Sequence, residues 1–187
     1  MKKTCILSIF LLGSMILLTC CATTSKIPRT TEIKVPKWYS SVPTDSNYLF
    51  APATARSQDL QHAVNTAKEE ARIGIAREMR VKVQGLFKRF REETGLGEEA
   101  EFLAMETDVS KSVVSETLIG CKTRNQEILR EGTLYRVYVL MELPIGEANL
   151  AMLAKIKENE RMYTRYRASE AFKELEEEVE KYEKIKK

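Results

Sequence analysis

Cys20 and Cys21 end the one strongly apolar run of this chain, and they are the residues whose type and setting promise chemistry. The thiolate is the reactive form of a cysteine. After an export signal, its task is to accept a lipid on sulfur and, once the chain is cleaved on its amino side, to become the new N-terminus. The stretch before it has that layout: Lys2 and Lys3, then Ile6 to Leu18 with barely a polar break, then Leu18-Thr19-Cys20-Cys21. A basic start, a short apolar core and a small-residue cleavage zone make a secretory signal.

With cysteine at the cleavage point, this is the arrangement of a bacterial lipoprotein signal, modified with palmitate-type acyl chains. Two other readings compete. A spanning helix needs about 20 apolar residues; Thr4 to Thr19 is shorter, and Ala22-Thr23-Thr24-Ser25 provides no basic stop. A plain secretory signal is the other. Cys21 is the expected lipid attachment site, because Leu18 and Thr19 fit the positions before it and Cys20 takes the place of the usual small residue. Cys20 is the alternative acceptor, at the cost of β-branched Thr19 in that tight position. Residues 1–20 then form the signal peptide. Ala22 lacks the acidic side chain that commonly retains lipoproteins at the inner membrane, which points outward, to a lipid-anchored protein of the outer membrane.

Little else in the chain offers chemistry. Phosphate-binding glycine loops, the nucleophile elbow and the His-Glu-x-x-His zinc motif are all missing from the sequence. His62, the single histidine, lies at the polar start of a helical stretch. Glu69-Glu70, Glu92-Glu93 and Glu98-Glu99 are adjacent on helical segments, where neighbours diverge instead of forming an acid–base pair. Cys5 belongs to the signal, Cys20 leaves with it if Cys21 carries the lipid, and Cys121 is then the only thiol left, too few for an intrachain disulfide. One cysteine and one histidine do not make a structural zinc site. The expectation is a protein that is not an enzyme and has neither cofactor nor metal.

The net charge of +3 falls towards neutral when Lys2 and Lys3 leave, so no global field favours nucleic acid. Lys88-Arg89-Phe90-Arg91 is the one compact basic cluster. It reads either as a contact for anionic headgroups, glycan or nucleic acid, or as a polar helix face broken by one core phenylalanine; the second reading is the simpler.

These features need elements to carry them. Residues 21–35, rich in Thr, Ser and Lys, read as a flexible tether. Pro36-Lys37-Trp38-Tyr39 starts ordered structure, with Trp38 a packing anchor or a ligand-stacking residue. Tyr48 to Ala55 has strand length, and Pro52 restricts it to an edge, a bulge or an end. Ser57 is the expected cap of a helix from Gln58 to Glu92, about 50 Å long at 1.5 Å per residue. Its stripe of Leu60, Val64, Ala67, Ala71, Ile75, Met79, Val83, Leu86 or Phe87, and Phe90 runs from small to bulky. Gly85 marks a kink or the point where the helix leaves the core, and Thr94-Gly95-Leu96-Gly97 ends the helix. A second helix from Glu98 to Thr117 shows Phe102, Met105, Val109 and Val113 on one face. Leu118–Arg130 and Thr133–Leu143 read as the arms of a hairpin around Glu131-Gly132, with one sheet face partly wet. After Pro144 and Gly146, residues 147–187 read as one amphipathic helix. Its seam of Ala168, Phe172, Leu175, Val179 and Tyr182 either docks on the chain's own domain or pairs with a copy or a protein partner.

The order of these parts resembles the LPP-twenty family of bacterial outer-membrane lipoproteins, and is similar to the N-terminal domain of flagellar assembly protein T. The residues that carry the resemblance are Pro36-Lys37-Trp38, then Ala63, Ala67, Ala71-Arg72 and Ala76, then Leu134-Tyr135-Arg136-Val137-Tyr138-Val139-Leu140. It covers residues 36–144 and implies a compact α+β domain with no catalytic residues, anchored by lipid at the outer membrane. The expected architecture is a small antiparallel sheet packed against two helices in residues 36–146, followed by the long charged C-terminal helix. The expected function is protein–protein contact in outer-membrane or flagellar-collar-type assembly. The rival is a periplasmic small-ligand or glycan-binding module that uses Trp38 and the wet sheet face.

Overall fold

A computed structural model describes residues 34–97 and 99–186. The cysteines of the signal, Cys20 and Cys21, and the tether up to residue 33 lie outside the described residues. The fold is α+β, mostly helical, with one three-stranded antiparallel sheet.

A single turn, α1 (Lys37–Ser40), precedes strand β1 (Tyr48–Ser57). The hairpin follows later as β2 (Lys122–Glu131) and β3 (Leu134–Pro144), in the sheet order β1-β3-β2. Pro52 lies opposite Leu140 on β1, an edge strand, where its missing N–H breaks no interior ladder. Gly132 turns the hairpin at φ +61°, a conformation glycine adopts without Cβ strain. The first arm starts later than its sequence suggests: Leu118–Gly120 form a 3-10 turn that prolongs the preceding helix, and pairing begins at Lys122.

Helix α2 (Leu60–Thr94) covers the inner face of the sheet. Asp59, and not Ser57, caps it: its carboxylate accepts from the His62 N–H at 2.6 Å, while the Ser57 hydroxyl accepts from the Asp59 N–H. Ala63, Ala67 and Ala71 are wholly buried, and their small side chains let the helix lie close to β1 and β3. At Gly74 the approach is close, since a Cβ there would stand 2.8 Å from that of Ala51. Beyond the sheet the stripe becomes bulky (Ile75, Met79, Val83, Phe87, Phe90) and fills the space between helices. The helix continues through Gly85 and ends at Gly95, whose φ of 66° forms the left-handed cap.

Helix α3 (Ala100–Thr117) packs mainly on α2 and on the C-terminal helices rather than on the sheet. Residues 147–187 do not form one helix. The chain makes α4 (Ile145–Glu158), α5 (Glu160–Tyr166) and α6 (Glu170–Lys186). Asn159, with an extended ψ of 98°, breaks the first junction and caps α5 by accepting from the Met162 N–H at 3.1 Å. At the second, the Ser169 hydroxyl accepts from the Phe172 N–H at 3.2 Å. Short polar side chains that compete for backbone groups end helices in this way. The two breaks fold the chain back on itself. Phe172, Leu175 and Val179 are buried in the common core, with α6 against α4 and α2, while Ala168 lies exposed in the turn. The seam therefore docks within its own chain. From Val35 onward the described residues make one compact unit.

Candidate functional site

Trp38 lies on α1, half-buried, with its ring edge-on to Tyr39 at 6.4 Å. Tyr39 in turn meets Tyr138 of the central strand edge-on at 4.9 Å. The residue that anchors α1 on the sheet is thus Tyr39, and Trp38 sits one ring further out. This contact covers part of the outer sheet face, which is partly wet as expected. The β2 arm is largely exposed, but Tyr138, Leu140 and Phe50 are buried there, so only part of that face is wet. Arg124, at a bulge in β2, stacks over Phe50 at 5.1 Å and donates to Glu142 at 2.8 Å.

The basic run 88–91 disperses around its helix. Lys88 pairs with Glu92 at 3.7 Å, Arg89 with Glu174 at 2.9 Å, and Phe90 is buried. Each cation meets an acid, as the helix-face reading requires. The adjacent acids Glu92 and Glu93 diverge as well: Glu93 reaches across to accept from the Ala171 N–H at 2.9 Å, capping α6. His62 is exposed in the first turn of α2. Cys121 is buried beside β2, and burial pushes its thiol up to about 11.

The best-defined polar cluster joins three helices. Glu106 of α3, only 6% exposed, accepts from the Tyr166 hydroxyl of α5 at 2.6 Å and from the Arg91 guanidinium of α2. Tyr166 is fully buried among Phe87, Phe90 and Phe102, with the Phe90 ring 5.0 Å away. Burial, followed by donation to Glu106, drives the Tyr166 hydroxyl well above the usual phenol range. Both carboxylate oxygens of Glu106 are therefore occupied, which is how a buried charge is tolerated. The cluster ties the three helices together.

Sequence reasoning missed this cluster although one signal was present. Phe102, Glu106, Ser110, Val113 and Thr117 recur at spacings of four, four, three and four and are all buried. An acid at a buried position of this stripe asks for a cation. Arg91 and Tyr166 come from distant segments, 15 and 60 residues away.

Among the described residues, no three His, Cys, Asp or Glu side chains gather to hold a metal. No described helix is long and apolar enough to cross a membrane. The family model described as LPP20 lipoprotein matches residues 36–143, from the start of α1 to the end of β3. No curated protein matches the chain.

Proposed function

The chain belongs to the LPP20 lipoprotein family, and from that premise we propose that it is an outer-membrane lipoprotein anchored through Cys21, acting by contact with other envelope proteins and not by catalysis. The observation that carries this reading is a succession along the chain. A basic and apolar start, Leu18-Thr19-Cys20-Cys21 and a polar tether lead directly to residue 36, where the family match begins. Envelope assemblies of the flagellar-collar kind are the partners this reading implies. Among the described residues, Glu106 is held by Arg91 and Tyr166, Cys121 is a buried thiol, and His62 is an exposed helix residue.

Metabolic labelling with an alkyne analogue of palmitate tests the anchor in the full chain. The expected result is label on the parent and on C20S, none on C21S, and recovery of the parent with the outer membrane. Label that survives in a C20S/C21S double variant overturns the anchor, and recovery in the inner membrane alone overturns the location. The partner reading is tested by crosslinking the anchored chain in intact cells; a chain that yields only self-linked or unlinked species overturns it.

A further inference from the structure

Helices α2 and α3 run side by side from the Gly95 turn, and near that turn they close on Phe90, Phe102 and the Arg91–Glu106 pair. Farther from the turn they do not close. Arg80 and Gln84 stand on the α2 wall, Thr107, Ser110 and Lys111 on the α3 wall, and the space between is about 480 Å³. Small-ligand sites fall in that size range. The floor is apolar, made by Phe87 and Leu103. Above this floor the walls carry charges, an amide and hydroxyls.

The charge balance of the cleft is one-sided. Its lining holds three cations, Arg80, Arg91 and Lys111, against one acid, Glu106. Arg91 and Glu106 neutralise each other, and the second oxygen of Glu106 is taken by Tyr166. That leaves Arg80, which forms no ion pair among the described residues, and Lys111. The partner of Lys111 is Asp108 at 3.6 Å, with both side chains more than 70% exposed, a pairing that water screens strongly. Ser110, only 6% exposed, lines the same cleft. A hydroxyl in the lining of a cleft that also carries two cations has the chemistry of an anion donor.

We propose that the α2–α3 cleft binds a small organic anion, a phosphate or carboxylate held by Arg80, Lys111 and the Ser110 hydroxyl, with its apolar part on Phe87 and Leu103. Phosphate and carboxylate share this recognition, since each accepts several charge-assisted hydrogen bonds from such donors. The site lies in the folded part and does not depend on the lipid anchor, so its failure leaves the anchor reading intact. The N-terminal tether is a poor occupant: Lys26, Arg29 and Lys34 against Glu32 give it the same sign as the cleft.

Calorimetric titration of the full chain in non-ionic detergent tests the site, with phenyl phosphate and benzoate as probes and benzyl alcohol as the neutral counterpart. The expected result is saturable binding of at least one anion, none of the alcohol, and weakening as salt rises. The R80Q/K111Q variant, which alters exposed side chains only, is expected to lose at least about tenfold in affinity, equivalent to about 1.4 kcal/mol. A K122Q/R124Q control on β2 is expected to bind as the parent does. Preference for one probe identifies the headgroup. Absence of saturable binding by both anions, equal binding of the alcohol, or unchanged binding by R80Q/K111Q overturns the proposal.

Discussion

Glu106, Arg91 and Tyr166 show how far a single residue's role depends on what surrounds it. A carboxylate in the interior is costly unless paired and hydrogen-bonded. Here the guanidinium and the phenol supply both needs, and the phenol loses its own acidity in return. The same holds for Cys121, whose ordinary value of 9.0 rises to about 11 through burial. Both Cys121 and Tyr166 hold their protons more tightly in the folded chain than in the unfolded one. Their stabilising effect is therefore complete below about pH 9 and is lost as pH climbs through about 11 and beyond. The urea midpoint of the parent is expected to fall between about pH 8 and about pH 11, and that of a C121A/Y166F variant to fall less steeply. An identical slope for the two chains would show that neither group titrates as its surroundings require.

Helix α2 is the element that organises the rest. Its stripe tapers from alanine to phenylalanine because its first half lies on a sheet and its second half lies among helices. The two glycines inside it test this division. At Gly74 a Cβ would meet Ala51 at 2.8 Å, and both atoms belong to packed backbone elements. Gly85 has open space around its missing Cβ. G74A is expected to destabilise by about 1–3 kcal/mol, as overpacking does. G85A is expected to stabilise by about 1 kcal/mol through helix propensity alone. Thermal unfolding of the two variants beside the parent reads both signs. A rise in midpoint for G74A would mean that the sheet and helix are less closely joined than described. The C-terminal helices follow a similar logic: Asn159 and Ser169 are placed where the chain must turn so that Phe172, Leu175 and Val179 reach the core.

At the scale of the molecule, the family match stops at residue 143 but the core does not. Ile156, Met162, Tyr166, Phe172 and Leu175 all lie beyond it and are buried. Each such side chain contributes about 1.5–3 kcal/mol when fully buried, and five of them together match the whole net stability of about 5–15 kcal/mol of an ordinary domain. A chain truncated after Pro144 is accordingly expected to lack a cooperative thermal transition by circular dichroism, whereas the full chain shows one; a cooperative melt of the truncated chain would place the folding unit within the family segment. Periodicity alone determined much of this protein. The three- and four-residue spacing of the α2 stripe, the two-residue alternation of Val137, Val139, Met141 and Leu143, and the glycines at 95 and 132 are local signals, because backbone geometry repeats over a few residues. The cysteine pair at 20 and 21, with the apolar run before it, likewise speaks through adjacent residues. What tertiary structure decided was every matter that joins distant segments. It assigned the seam of α6 to its own chain, split the basic run 88–91 among separate acids, covered Tyr138 with Tyr39, and brought Arg91 and Tyr166 to Glu106. A side chain's partner across 15 to 85 residues is set by how the helices pack, and no local spacing in a single chain encodes that distance.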